Sequence, residues 1–202
     1  LKNIGMGCGS RAGKMEMHSA GKPEVNQEPC IGCGRCSRIC AHEAAVVTNR
    51  KATIDREKCV GCGRCIGVCP TDAIRSLHDI SNTVMNKKVA EYTKAVLDGR
   101  PHFHISLVID VSPFCDCRGE NDVAIVPDVG MFASFDPVAL DVACADAVNR
   151  QPAMQNSLLA KHDHECDDHF KAIGPTTDWR SAVEHAEKLG IGTQQYELIT
   201  VK

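Results

Sequence analysis

A cysteine run that occurs twice constrains this chain more than any other feature. Cys30-Ile31-Gly32-Cys33-Gly34-Arg35-Cys36 returns 29 residues later as Cys59-Val60-Gly61-Cys62-Gly63-Arg64-Cys65, and each run gains a fourth cysteine four residues further on, Cys40 and Cys69. Such a duplication implies two equivalent sites related by a pseudo-twofold axis. The chain holds 13 cysteines. In a small secreted protein that would suggest disulfides, but the count is odd, the opening residues lack a basic-then-apolar signal pattern, and C-x2-C spacing is that of metal ligands. A reducing cytoplasm is the expected compartment.

Each run reads C-x2-C-x2-C-x3-C. Three thiolates two residues apart let one loop wrap a corner of an iron-sulfur cubane, and the fourth cysteine of each run ligates the other cluster. One 4Fe-4S cluster is thus expected on Cys30, Cys33, Cys36 and Cys69, and a second on Cys59, Cys62, Cys65 and Cys40. Gly32, Gly34, Gly61 and Gly63 let backbone amides crowd the sulfurs and tune the potential. Four-cysteine zinc sites also use C-x2-C pairs, but the third cysteine at the same spacing in both runs favours iron-sulfur clusters. From Cys30 to Ile74 the chain resembles bacterial two-cluster ferredoxins. It departs from them in carrying Ala41 where the first run usually has proline; Pro70 follows the second run.

The 202 residues suffice for one domain plus an insert, or for two small domains. Lys and Arg number 23 against 26 Asp and Glu, a net charge of −3 without long runs of either sign, so neither nucleic acid nor an anionic membrane is an expected partner. No apolar stretch approaches the ~20 residues of a membrane helix. Residues 1–29 read as a Gly-rich loop segment, residues 30–76 as a ferredoxin-like domain, and residues 77–202 as the body of an α/β domain. Asn49-Arg50 marks a hairpin. Met85, Val89, Tyr92 and Val96 predict a helix from Ser81 to Asp98, stopped by Gly99 and Pro101. Strands are predicted at Ile105 to Val111, Val123 to Val126 and Tyr196 to Val201, and helices at Asp136 to Val148 and Asp178 to Leu189. The resulting fold class is α/β (α+β), with the ferredoxin-like segment inserted or fused.

Five cysteines lie outside the runs: Cys8, Cys115, Cys117, Cys144 and Cys166. Cys144 falls in the apolar helix and reads as a small core residue. Cys115-Asp116-Cys117 follows a strand, where loops present chemistry, and reads either as a redox or metal pair or as packed thiols. His162, Cys166 and His169 would share a helical face that zinc can use, or belong to a solvated acidic loop. Gly9 to Lys14 fails as a phosphate-binding loop, since Cys8 and Met15 occupy required Gly and Ser/Thr positions; Arg11 and Lys14 leave an anion-holding loop open.

Taken with Lys2-Asn3-Ile4-Gly5-Met6-Gly7-Cys8, Gly13-Lys14, Cys115-Asp116-Cys117, Pro127-Asp128-Val129-Gly130, Ser134, Asp136-Pro137-Val138-Ala139-Leu140-Asp141 and Gly190-Ile191-Gly192, the whole chain resembles the C-terminal part of the domain-of-unknown-function 362 family. That resemblance implies iron-sulfur proteins with a larger α/β portion ahead of Lys2, so the chain, which opens on Leu1, is expected to be a fragment. It implies no reaction. Cys8, Cys115, Cys117, Asp128 and the helix start at Asp136-Pro137 are expected to converge on a small anionic ligand. The leading expectation is an electron-transfer protein working with a redox partner. The alternatives are an oxidoreductase fed by the clusters and a scaffold stabilised by them.

Overall fold

The structure is a computed structural model that describes residues 1–18, 22–75, 82–115, 122–162 and 167–201. It divides into two units, Lys2–Val96, and Leu97–Lys202 together with Leu1. The fold is α+β: helices mixed with three two-stranded antiparallel sheets. Among the described residues no helix is long and apolar enough to cross a membrane.

In the first unit the Gly-rich opening, read as loop from its composition, forms α1 (Lys2–Gly5) and α2 (Arg11–Met17). Ser10 makes the difference, because its Oγ accepts the Gly13 N–H at 3.1 Å and satisfies a donor left open at the helix start. Lys14 therefore sits on a helix and not in a loop. Next come β1 (Glu24–Val25), α3 (Arg35–Ile39), β2 (Ala45–Thr48), β3 (Lys51–Ile54), α4 (Arg64–Gly67) and β4 (Ile74–Arg75).

Asn49 and Arg50, both at positive φ (51° and 59°), close the expected β2–β3 hairpin with a mirror-image turn that matches strand twist. β1 pairs with β4 across the whole cysteine segment. The two ladders obey the repeat: Ala45 faces Ile54, and 29 residues away in each strand Ile74 faces Val25. α5 (Asn82–Leu97) ends before Gly99, which takes φ 67°. It buries Val89, Ala90 and Thr93, a face turned from the predicted stripe because the Thr93 hydroxyl donates to the Val89 carbonyl at 2.8 Å and needs no water. Lys88 pairs with Glu16 of α2 at 2.7 Å.

In the second unit β5 (His104–Val108) pairs with β6 (Gly130–Ser134). β6 had no signal in the sequence, being short and rich in small residues. The strand predicted at Val123 to Val126 does not form. Ile125 and Val126 are buried, but Ile125 bonds Val111 and Met154 outside any ladder, and Pro127 cannot donate to one. α6 (Pro137–Asn149) starts at the predicted Asp136 cap and is buried nearly all round. α7 (His169–Ile173) and α8 (Arg180–Lys188) follow. The tail from Tyr196 is irregular and exposed rather than a strand, held where the Tyr196 hydroxyl donates to Asp146 at 2.9 Å. Val108, Ile125, Val126, Val148 and Leu159 form the core.

Candidate metal centres

Gly34 and Gly63, both left-handed (φ 73° and 68°), sit at the N-caps of α3 and α4 and turn each cysteine loop into its helix. The third cysteine of each run, Cys36 or Cys65, is thereby carried on the helix, and the first two remain in the loop before it. Cys40 caps α3 in an extended conformation and leads into β2. The result is two cavities. One is lined by Cys30, Cys33 and Cys36 with Cys69, and walled by Ala52, Ala73 and Ile74. The other is lined by Cys59, Cys62 and Cys65 with Cys40, and walled by Ala44, Ala45, Ile54 and Pro23. Each therefore draws three thiols from one run and the fourth from the other.

None of these eight thiols is in a disulfide. Backbone amides aim at the sulfurs: Ala44 N–H at Cys40, Ala73 N–H at Cys69 and Ala52 N–H at Cys30, each at 3.3 Å. Burial pushes the Cys65 thiol up to about 11, with Cys59 adding to it, and burial also raises Cys36. Cys40 and Cys69 go the other way. Burial raises them too, but several backbone amides, joined at Cys69 by the Thr71 hydroxyl, outweigh it and leave both thiols below their ordinary value. Four thiols around an apolar-walled space, with amides directed at sulfur, form a donor set that fits a 4Fe-4S cluster. Among the described residues no three His, Cys, Asp or Glu side chains converge on a position for a single metal ion.

The other candidates are divided between the two units. Cys8 is exposed in the turn after α1, in the first unit, whereas Cys115 and Asp128 belong to the second. Cys117 and Cys166 lie outside the described residues. Asp128 accepts the Asp110 N–H at 2.9 Å and so secures the turn that ends β5, where Asp110 takes φ 48°. At the start of α6, expected to favour an anionic ligand, Asp136 accepts the N–H groups of Val138 and Ala139 at 2.8 and 2.9 Å and of Thr193 at 2.8 Å. His169 places Nε2 2.8 Å from the Gln151 carbonyl, and His162 closes a 3₁₀ turn. Cys144 is half-buried on α6, its thiol raised by burial and partly compensated by Ser106.

Pro23, Ala52 and Thr71 touch the cavities and were not singled out from the sequence. Pro23 and Ala52 stand seven residues before Cys30 and Cys59, so extending the 29-residue repeat backwards would have found them. The family described as Domain of unknown function (DUF362) matches residues 1–146. No curated protein matches the chain.

Proposed function

Because the chain belongs to the DUF362 family, whose description names no reaction, its role has to be read from its own side chains, and we propose that it is an electron-transfer protein that holds two 4Fe-4S clusters and relays single electrons to or from a redox partner protein. The observation that carries this reading is the crossed composition of the two cavities, each lined by three cysteines of one run and the fourth of the other. When bound, such clusters supply one-electron chemistry at low potential.

The residues themselves do the rest. The eight cysteines lining the two cavities would hold the irons as thiolates. The amides of Ala44, Ala52 and Ala73 hydrogen-bond sulfur and so moderate its negative charge, and the alanine and isoleucine walls keep bulk water away. Cys30 and Cys36 are buried while Cys33 is exposed, which opens the first cavity to the surface at one thiol and gives a partner a short approach.

Anaerobically purified protein is expected to hold about eight iron and eight acid-labile sulfide per chain. Four iron, or stoichiometric zinc, would overturn the proposal. Cys69→Ser should perturb the spectrum of the cluster held mainly by Cys30, Cys33 and Cys36, and Cys40→Ser that of the other. Loss of the same-run cluster in either variant would show that ligation is not crossed.

A further inference from the structure

The duplication breaks at a few side chains around the two cavities, and the N–H, hydroxyl and guanidinium differences among them favour one site. We infer that the two sites are electronically unequal, that the site of Cys30, Cys33, Cys36 and Cys69 has the higher reduction potential, and that Pro23 sets the difference. This rests on the cluster reading above.

Ala52 donates its N–H to Cys30 Sγ at 3.3 Å. It is free to do so because Thr48 and Lys51 flank the two-residue turn, which makes the next pair, Val47 and Ala52, one that exchanges no ladder hydrogen bonds. The same position in the other repeat, seven residues before Cys30 and walling the cavity of Cys59, is Pro23. Proline has no N–H, so Cys59 is denied the bond that Cys30 receives. The amides of Ala44 and Ala73, by contrast, reach Cys40 and Cys69 at an identical 3.3 Å and cancel in the comparison.

Two lesser breaks reinforce the first. Thr71 places its hydroxyl 3.8 Å from Cys69 Sγ, and its counterpart beside Cys40 is His42. Arg38 joins Arg11 and Arg35 around a shallow depression that contains Cys69, and the counterpart of Arg38 is Gly67. Reduction adds negative charge to a site already negative, so each extra N–H, hydroxyl or cation favours the reduced form and raises the potential. An electron delivered to the Cys59 site therefore moves on to the Cys30 site, whose fourth cysteine lies in the arginine-lined depression.

The test is an anaerobic, EPR-monitored redox titration of the whole chain at pH 8.5. The wild type is expected to show two resolved one-electron midpoints. Pro23→Ala introduces the missing N–H and should raise the lower midpoint by about tenfold in the reduction equilibrium, about 59 mV for one electron, leaving the upper unmoved. Ala52→Pro should lower the upper midpoint by a similar amount, and Ala52→Gly, which keeps the N–H, should leave both in place. Coincident midpoints in the wild type, or Pro23→Ala moving the upper midpoint or neither, would overturn the inference while the clusters stand. Should Pro23→Ala fail to retain iron, the Ala52→Pro and Ala52→Gly pair decides. Iron far below eight in the wild type would remove the cluster reading itself, and this inference with it.

Discussion

Gly32 is held in a position that no other residue can occupy. Its φ is 65°, and a Cβ built there would lie 2.3 Å from the Arg50 carbonyl oxygen, so the first cysteine loop passes against the β2–β3 turn without room for a methyl. Gly32→Ala should cost about 2 kcal/mol or more by combining a left-handed backbone with a backbone clash, read as a lower urea midpoint with iron content followed in parallel. The thiols are graded as well. Cys40 and Cys69 are held below the ordinary thiol range and Cys65 is raised to about 11, so in metal-free protein at pH 7.5 iodoacetamide should label the first two ahead of Cys65. Equal labelling, mapped by mass spectrometry, would contradict that order. At this scale the eight cavity cysteines were legible because their spacing is itself the signal. Ala52 and Pro23 were not, because neither side chain carries chemistry; what matters is an amide hydrogen that one has and the other lacks.

Helix α6 depends on one carboxylate. Asp136 satisfies two amides of its own first turn and the Thr193 amide 57 residues away, so it both starts the helix and ties down the segment after α8. Asp136→Ala should therefore cost about 2 kcal/mol, the upper end for an N-cap, and thermal unfolding should shift accordingly. β5 carries a pH dependence. Burial lowers the pKa of His104 and the neighbouring His102, whose Nδ1 lies 2.9 Å from His104 Nε2, adds to the effect; Asp141 and Asp136 oppose it. The folded chain thus binds this proton less readily than the unfolded chain. The His104 contribution to stability is fully present above the ordinary histidine value of about 6.5 and is lost as pH falls below it toward the lowered folded value. His104→Gln should flatten the stability profile between pH 7.5 and 5, measured by urea unfolding. The extents of α5 and α6 were readable because their cap and stop residues, Gly99 after α5 and Asp136 before α6, are local signals. β6 and the tail after Tyr196 were not, since a short strand is defined by its partner and not by its own pattern.

Around the cysteine loops the first unit buries mostly small side chains. Its buried cluster is Cys30, Cys36, Ala45, Ala52, Ala73 and Ile74, mostly small side chains arranged around the two cavities. The proposed clusters would therefore supply much of its folding free energy, as structural metals do in small domains. Iron chelation should unfold the segment around β1 to β4 while hydrogen exchange in α6 stays protected by the core of Val108, Ile125, Val126, Val148 and Leu159. Protection persisting across β1 to β4 after iron removal would show that the apolar cluster suffices alone. All-cysteine ligation also predicts midpoints on the order of −400 mV, and potentials above about 0 mV would be incompatible with a low-potential relay. The sequence by itself determined the cysteine spacing, the twofold repeat, the hairpin turn and the two long helices, because spacing, caps and turn residues act over a few positions. Only the tertiary structure decided that β1 pairs with β4, that Asp128 accepts the Asp110 amide and Asp136 the Thr193 amide, and that one cavity receives an amide its twin lacks. Those outcomes depend on which distant backbone groups meet once the chain has closed its long loops, and no local pattern specifies such a meeting.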